Sequence, residues 1–213
     1  PFVVAAALMS GDYQPHTKVD TSPGYMRIRN KTIRDHRNYG VLDVTGIITK
    51  SSNIGVAKLA QHMGAENLWQ FYTKAGIGQA NLLGFPGEAI GQMPYPEQLD
   101  NLSLATVSYG YGLAMSPLHL ANAYTNLTQQ GCHKPLKIIV SDNDSTSCEP
   151  VMTEEVSRQV LDMLKTVISP KGTGRRAQVA GYTAGGKTGT AHRVGRSGYQ
   201  DDSYTAVFAG VAP

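Results

Sequence analysis

The stretch "GYTAGGKTGTA", residues 181–191, admits two local structures with different consequences. From Gly181 through Gly186, Lys187 and Thr188 it satisfies G-x-x-x-x-G-K-[ST], the pattern of a phosphate-cradling loop. Such a loop must follow a strand and open a helix, because loop amides and a helix N-terminus together hold the phosphates. Here Lys187 is succeeded by "TGTAHRVGRSGYQDD". Gly189, Thr190 and the Gly-rich turn beyond them oppose a helix, and the period is nearer two than 3.6. A nucleotide enzyme of this type also needs a later apolar strand ending in an Asp for magnesium. The strand that remains, "YTAVFAGVAP", carries none. The stretch therefore reads as a β-strand.

On a strand, Thr188 and Thr190 occupy alternate positions, so both hydroxyls lie on one face, where two parallel hydroxyls can hold a carboxylate. Gly189 between them leaves the backbone open to an extended ligand that pairs as an added strand. Lys187 brings a positive charge to the same edge. A plain Gly-rich hairpin with an exposed Lys carries the same pattern, so the motif alone leaves both readings open.

Composition narrows the classes. The 213 residues are 41% hydrophobic, with 19 Lys and Arg against 16 Asp and Glu, for a net charge of +3. This is globular composition, and the basic residues are scattered, with Lys171, Arg175 and Arg176 the tightest group. That is too little to track nucleic-acid phosphates. No stretch approaches the ~18 apolar residues of a membrane span. Pro1–Leu8 is apolar but lacks the basic segment and cleavage site of a signal peptide. Cys132 and Cys148 would close one loop in an oxidising compartment and stay free thiols in a reducing one. Together with His133 they lack metal-ligand spacing.

Along the chain, Pro1–Met9 predicts a helix ended by Gly11. Residues 12–40 are turn-rich, with room only for short strands. Asp43–Lys50 predicts a short helix, and a second starts near Ser52 or Asn53, either of which can cap it. Its apolar positions are Ile54, Ala57, Leu59 and Ala60. A third covers Ala65–Lys74, with Trp69 read as core, and "GIGQANLLGFPGEAIGQMPYP" is a long loop. Ser116 caps a helix with Pro117 in its first turn and Leu118, Ala121, Tyr124 and Leu127 on one side, before Gly131 stops it. Leu136–Val140 reads as a strand and "SDNDS" as a turn. Thr153 caps a helix whose buried stripe is Val156, Val160, Leu161, Leu164, Val167 and Ile168. The tail reads strand (186–194), turn ("GRSGYQDD"), strand (204–211). No linker divides the chain, so one domain is expected.

A second candidate motif is "TKSSNIG", residues 49–55, read as S-x-N from Ser51 and Asn53. Ser and Asn are good helix caps for ordinary reasons. A helix start also presents such side chains into a groove. There a hydroxyl can pass a proton, and an amide can both donate to and accept from a peptide bond.

S-x-N followed by K-T-G-T resembles the serine acyl-transferase family of penicillin-binding proteins and serine β-lactamases. "YGYGLAMSPLHLANAYTNL", "LLGFPGE" and "VFAGVAP" resemble the class B penicillin-binding proteins, most nearly the cell-division transpeptidases of Gram-negative bacteria. The resemblance covers essentially the whole chain. It implies an α+β fold of the penicillin-binding transpeptidase and serine β-lactamase type, reduced to its helical part plus the antiparallel strand pair carrying K-T-G-T. The third family motif, S-x-x-K, bears the nucleophilic Ser and its Lys base, and it occurs nowhere in the sequence. In the family it precedes a Pro and an apolar run, so its expected place is just before Pro1. Residues 1–213 are accordingly expected to be a transpeptidase domain incomplete at both ends. By itself it should not be acylated by penicillin, and with sheet edges unpaired it should be poorly soluble.

The resemblance also implies roles. Ser51 relays a proton to the leaving amine. Asn53 holds a substrate amide and the base Lys. Lys187 bonds Ser51 and attracts the terminal carboxylate that Thr188 and Thr190 bind, and the Thr190 N–H is half of an oxyanion hole. Gly189 lets the ligand approach, and Tyr111 and Tyr204 line the groove. His192 is read as groove-lining without a catalytic role, and Glu66 and Glu88 as surface or loop residues. The implied activity is D,D-transpeptidation of peptidoglycan stem peptides through a serine acyl-enzyme, with β-lactams as inhibitors and no cofactor or metal. A D,D-carboxypeptidase and a sensor-type or non-catalytic penicillin-binding domain share these motifs. A β-lactamase fits less well, because no deacylating Glu is recognisable. The implied setting is the periplasmic face of the inner membrane, with the membrane anchor outside this chain. The implied partners are a lipid-II polymerase and other divisome proteins. One spatial requirement underlies all of this: Ser51 and Lys187 must face each other across a single cleft.

Overall fold

The computed structural model describes residues 1–80, 83, 86–89, 91–139, 148–195 and 198–212, with only the backbone of 194–195 and 198–201. At its centre is α1 (Phe2–Met9), in which every residue from Phe2 to Leu8 is buried. A helix apolar on all sides has no solvent face and belongs inside a core. It packs on α3 (Asn53–Met63), α4 (Ala65–Lys74) and α7 (Glu154–Ile168).

Residues 12–43 form short antiparallel pairs, as the turn-rich composition predicts. β1 (Lys18–Asp20) pairs with β4 (Val41–Asp43), and β2 (Tyr25–Ile28) pairs with β3 (Lys31–Arg34). Asp43 then caps α2 (Val44–Lys50), its side chain accepting from the Gly46 N–H at 2.7 Å. Ser52 caps α3 by accepting from the Gly55 N–H at 2.9 Å, and its own hydroxyl donates to Asp35 at 2.6 Å. Asp35 also accepts from the Ile54 N–H, so two side chains satisfy the free end of one helix.

The structure adds one helix and corrects several readings. Asn101–Ser108 forms a helix, α5, capped by Asp100, that the sequence pattern does not predict. In α6 (Pro117–Thr128) Leu118 is 43% exposed and Ala121 is exposed, whereas His119, Asn122, Ala123 and Asn126 are buried with Tyr124 and Leu127. Buried Asn126 is satisfied from afar: it donates to the Ala75 carbonyl at 2.9 Å and meets His133 Nδ1 at 3.1 Å. Residues 136–139 form no strand, and Ile138 and Ile139 are exposed; Val140 and the "SDNDS" turn lie outside the described residues. Trp69 is half-buried and packs at the surface against Tyr95, with ring centroids 6.0 Å apart. The two cysteines are joined, their disulfide linking Cys132, in β5 (Cys132–His133), to Cys148, just before β6 (Glu149–Pro150), which pairs with β5.

α7 follows its Thr153 cap as expected, with Leu161 half-buried and Met163 added to the buried stripe. β7 (Gly185–Gly195) and β8 (Gly198–Val211) pair antiparallel over a longer span than the sequence suggests, so 198–202 is strand rather than turn. Gly185 sets how closely β7 lies on α7, since a Cβ there would stand 3.2 Å from the Leu164 backbone.

Candidate active site

A groove of about 560 Å³ separates α2 and α3 from the β7–β8 ribbon, with the start of α1 at its floor. Ser51, Asn53, Lys187, Thr188, Gly189, Thr190, Tyr111 and Tyr204 all line it. Residues far apart in sequence thus converge on one concave surface.

Ser51 is placed by the end of α2 rather than by the start of α3. It sits at φ 56, ψ 48, in the left-handed region. Its N–H donates to Ile48 and that of Ser52 to Ile47, which satisfies the last carbonyls of α2. The reversal aims the Ser51 side chain across the groove, while neighbouring Ser52 performs the capping. Asn53 is the first residue of α3, and its Nδ2 donates to the Arg34 carbonyl at 3.0 Å.

Opposite, Lys187 Nζ donates to Ser51 Oγ at 2.6 Å and to the Thr188 carbonyl at 2.8 Å. Burial holds the Lys187 ammonium down to about 8, because the charged form loses hydration. Thr188 and Thr190 oppose Phe208 and Ala206 on β8, and Lys187 and Gly189 oppose Ala209 and Val207. Thr188 and Thr190 therefore share one face, with Thr190 and Gly189 exposed. The space around Gly189 is open: a Cβ there would meet only the Val207 carbonyl, at 3.9 Å.

The rim is aromatic. Tyr111 Oη accepts the His192 N–H at 3.1 Å, tying the loop after α5 to β7. His192 and Tyr204 face each other in register with ring centroids 4.6 Å apart, and Tyr109 packs edge-on to Tyr111 at 5.8 Å. Tyr109 lines the groove beside Tyr111; the sequence pattern did not single it out, although it opens the same "YGYG" repeat. Thr173 was also missed: its Oγ1 lies 3.0 Å from Thr188 Oγ1, and nothing in "SPKGTGRR" signals that contact. Glu66 and Glu88 are outside the groove lining; Glu66 accepts from Gln70 and Glu88 from the Leu83 N–H.

A hydroxyl bonded to a largely desolvated ammonium, beside two strand hydroxyls and an open backbone edge, can pass a proton and can hold an anion. The chain belongs to the family of penicillin binding protein transpeptidase domains, whose pattern it matches over residues 1–213. Among its relatives are the probable peptidoglycan D,D-transpeptidase PbpC of Pseudomonas aeruginosa and the peptidoglycan D,D-transpeptidase FtsI of Escherichia coli K12. Each is 38% identical across 100% of this chain, which spans 38% and 36% of their respective lengths. The apo structure of the TP domain from Burkholderia pseudomallei penicillin-binding protein 3 superposes with a TM-score of 0.95 at 40% identity, covering all of this chain and 65% of that one. The chain therefore spans little more than a third of the length of these two curated relatives.

Proposed function

We propose that the protein containing this chain is a peptidoglycan D,D-transpeptidase of the division type, acting through a serine acyl-enzyme. The observation that carries this reading is the 2.6 Å bond from Lys187 to Ser51, which joins S-x-N to K-T-G-T across one groove. The family relationship supplies the reaction class, and the side-chain geometry supports the roles.

The nucleophile is a Ser of an S-x-x-K segment preceding Pro1, a position that opens onto the groove floor because Pro1 and Phe2 line it. Residues 1–213 alone would then be inactive. In the intact protein the motif Lys takes the Ser proton, and Oγ attacks the carbonyl carbon of the penultimate D-Ala. The C–N bond of the tetrahedral adduct breaks. The departing D-Ala amine takes a proton through Ser51, which recovers one from Lys187, and an ester remains on the enzyme. An amine of a neighbouring stem peptide attacks that ester, the C–O bond to the Ser breaks, and the amine's proton returns through Ser51 to Lys187 while the motif Lys gives its proton back to the Ser. A cross-link is formed. Thr188 and Thr190 bind the terminal carboxylate beside the Lys187 charge, the Thr190 N–H donates to the oxyanion, and Asn53 orients the substrate amide. The backbone of Gly189 accepts the donor peptide as an added strand, and Tyr111 and Tyr204 wall the groove. β-Lactams acylate the same Ser as mimics of D-Ala–D-Ala.

The disulfide suits an oxidising compartment, in keeping with the periplasmic face of the inner membrane. No helix among the described residues is long and apolar enough to cross a membrane, so we place the anchor elsewhere in the protein. A lipid-II polymerase and divisome proteins are the partners this role requires. The test is transfer of a D-amino acid onto a D-Ala-ended thioester by the intact protein. We expect transfer in the wild type and loss in Ser51→Ala and Lys187→Met; hydrolysis without transfer would overturn the transpeptidase reading.

A further inference from the structure

Thr49, Lys50 and Ser51 are consecutive, and each reaches a different part of the opposite wall. Thr49 Oγ1 shares a hydrogen bond with Thr166 Oγ1 on α7. Lys50 Nζ donates to the Lys171 carbonyl at 2.7 Å. Ser51 Oγ accepts from Lys187. The turn bearing Lys171 is pressed onto the C-terminal end of α7. Its Gly172 N–H donates to the Ser169 carbonyl and its Gly174 N–H to the Val167 carbonyl, both at 2.9 Å. A Cβ on Gly172 would stand 2.0 Å from the Val167 oxygen, and one on Gly174 3.3 Å from Val167 Cγ1. Proximity demands glycine at 172 and leaves little room at 174, on the two sides of Thr173, whose hydroxyl meets that of Thr188 at 3.0 Å. One turn is thus gripped by Lys50 from the S-x-N wall and touches Thr188 on the K-T-G-T wall.

We infer that the 171–174 turn is a strut that orients the Thr188 hydroxyl toward the acyl donor's carboxylate, with Lys50 and Thr173 as positioning residues. The inference rests on the proposed role of Thr188 in binding that carboxylate. A threonine carries a methyl and a hydroxyl on one stiff torsion, and rotation exchanges them. A second hydroxyl fixed beside Thr188 Oγ1 selects one rotamer. A carboxylate only accepts, so Thr188 must donate to it. Thr173 satisfies this direction by giving its own proton to Thr188 Oγ1, which leaves the Thr188 proton for the ligand. Lys50 keeps Thr173 in reach by holding the Lys171 carbonyl.

The test measures acylation of the intact protein by a penicillin, resolved into its non-covalent dissociation constant K and its chemical rate, together with thermal melting. Thr173→Val should raise K about fivefold, the weight of one hydrogen bond, with chemical rate and melting point unchanged. Thr173→Ser should restore K. Lys50→Met should raise K in the same direction, and Lys50→Met/Thr173→Val should be no worse than Thr173→Val, since both act through one contact. The penicillin methyl ester, which lacks the carboxylate, should show no difference among these proteins. Thr188→Val separates the two levels. If it leaves K unchanged, the carboxylate site is wrong and the strut falls with it. If it raises K while Thr173→Val does not, the site stands and the strut is overturned. A Thr173→Val protein with lower melting point and slower chemistry that Ser does not rescue would reduce the turn to a structural element and overturn the inference. Additive losses from Lys50→Met and Thr173→Val would also overturn it.

Discussion

The two walls of the groove are built on different principles. Behind Ser51 stands a packed core in which α1 is buried on every side and Ile47, Ile54 and Leu59 are all but inaccessible to solvent. The ribbon bearing Lys187 leaves Tyr204 53% and Val207 and Phe208 each 44% exposed. The first wall is positioned by apolar packing. The second is positioned by its own ladder, by α7 behind β7, and by three polar ties: Lys187 to Ser51, Thr188 to Thr173, and the His192 N–H to Tyr111. Stability and reactivity should therefore respond to different substitutions.

The largest separation should come from Lys187→Met. It removes the cation and the donor to Ser51, and acylation of the intact protein by a fluorescent penicillin should slow about a hundredfold or more. Its unfolding free energy should not fall, and should rise where the ammonium is charged, because Met brings no charge to bury. An undiminished rate would remove Lys187 from the chemistry. The mirror experiment is Leu164→Ala, at a fully buried position on α7. It should cost about 3 kcal/mol in denaturant unfolding while leaving the acylation rate per folded molecule unchanged. A collapse of that rate would show that the walls are not separable.

Gly189→Ala tests the open edge. The added methyl has room in the fold, so melting should not move, but it projects from the Lys187 face of β7 and crowds a ligand lying close along that edge. Non-covalent penicillin affinity should fall about tenfold, or ~1.4 kcal/mol. Unaltered affinity would argue against strand addition.

A pH series sharpens the electrostatic part. Lys187 is held down to about 8 from an ordinary 10.5 by burial. Between those values the unfolded chain binds a proton that the folded chain has released, so the burial cost is eased and stability from this group rises with pH. Affinity for an anionic ligand runs the other way and should fall severalfold as pH passes about 8. The methyl ester of the same penicillin should give a flat profile; a parallel decline would place the effect elsewhere. The smallest change is expected at Thr153, the cap of α7, where Thr153→Ala should lower stability by about 1 kcal/mol with no effect on acylation.

Legibility in the sequence divides along the same line. The caps at Ser116 and Thr153 and the helix after Asp43 are local signals, and their helices form close to where the chain chemistry places them. The face that α6 buries was not legible. His119, Asn122 and Asn126 look solvent-facing in sequence, and the partners of Asn126, the Ala75 carbonyl and His133, are supplied by other parts of the fold. Residues 136–139 have β-like composition but pair with no strand among the described residues, and a strand is defined by its partner. α5 is short and apolar without a clean stripe, so periodicity passed over it. In the site, S-x-N and K-T-G-T were readable as residue types. The route by which they meet was not: it depends on a left-handed residue at Ser51 and on glycines crowded against Val167.

The backbone at Ser51 carries a further implication. A residue with a Cβ incurs a steric penalty of about 1 kcal/mol at φ 56 that glycine escapes. The groove therefore keeps a tense serine where a relaxed glycine would make a sturdier molecule. Ser51→Gly should melt higher than wild type while losing the proposed proton relay, so directed evolution for heat tolerance alone would drift toward an inert protein at this position.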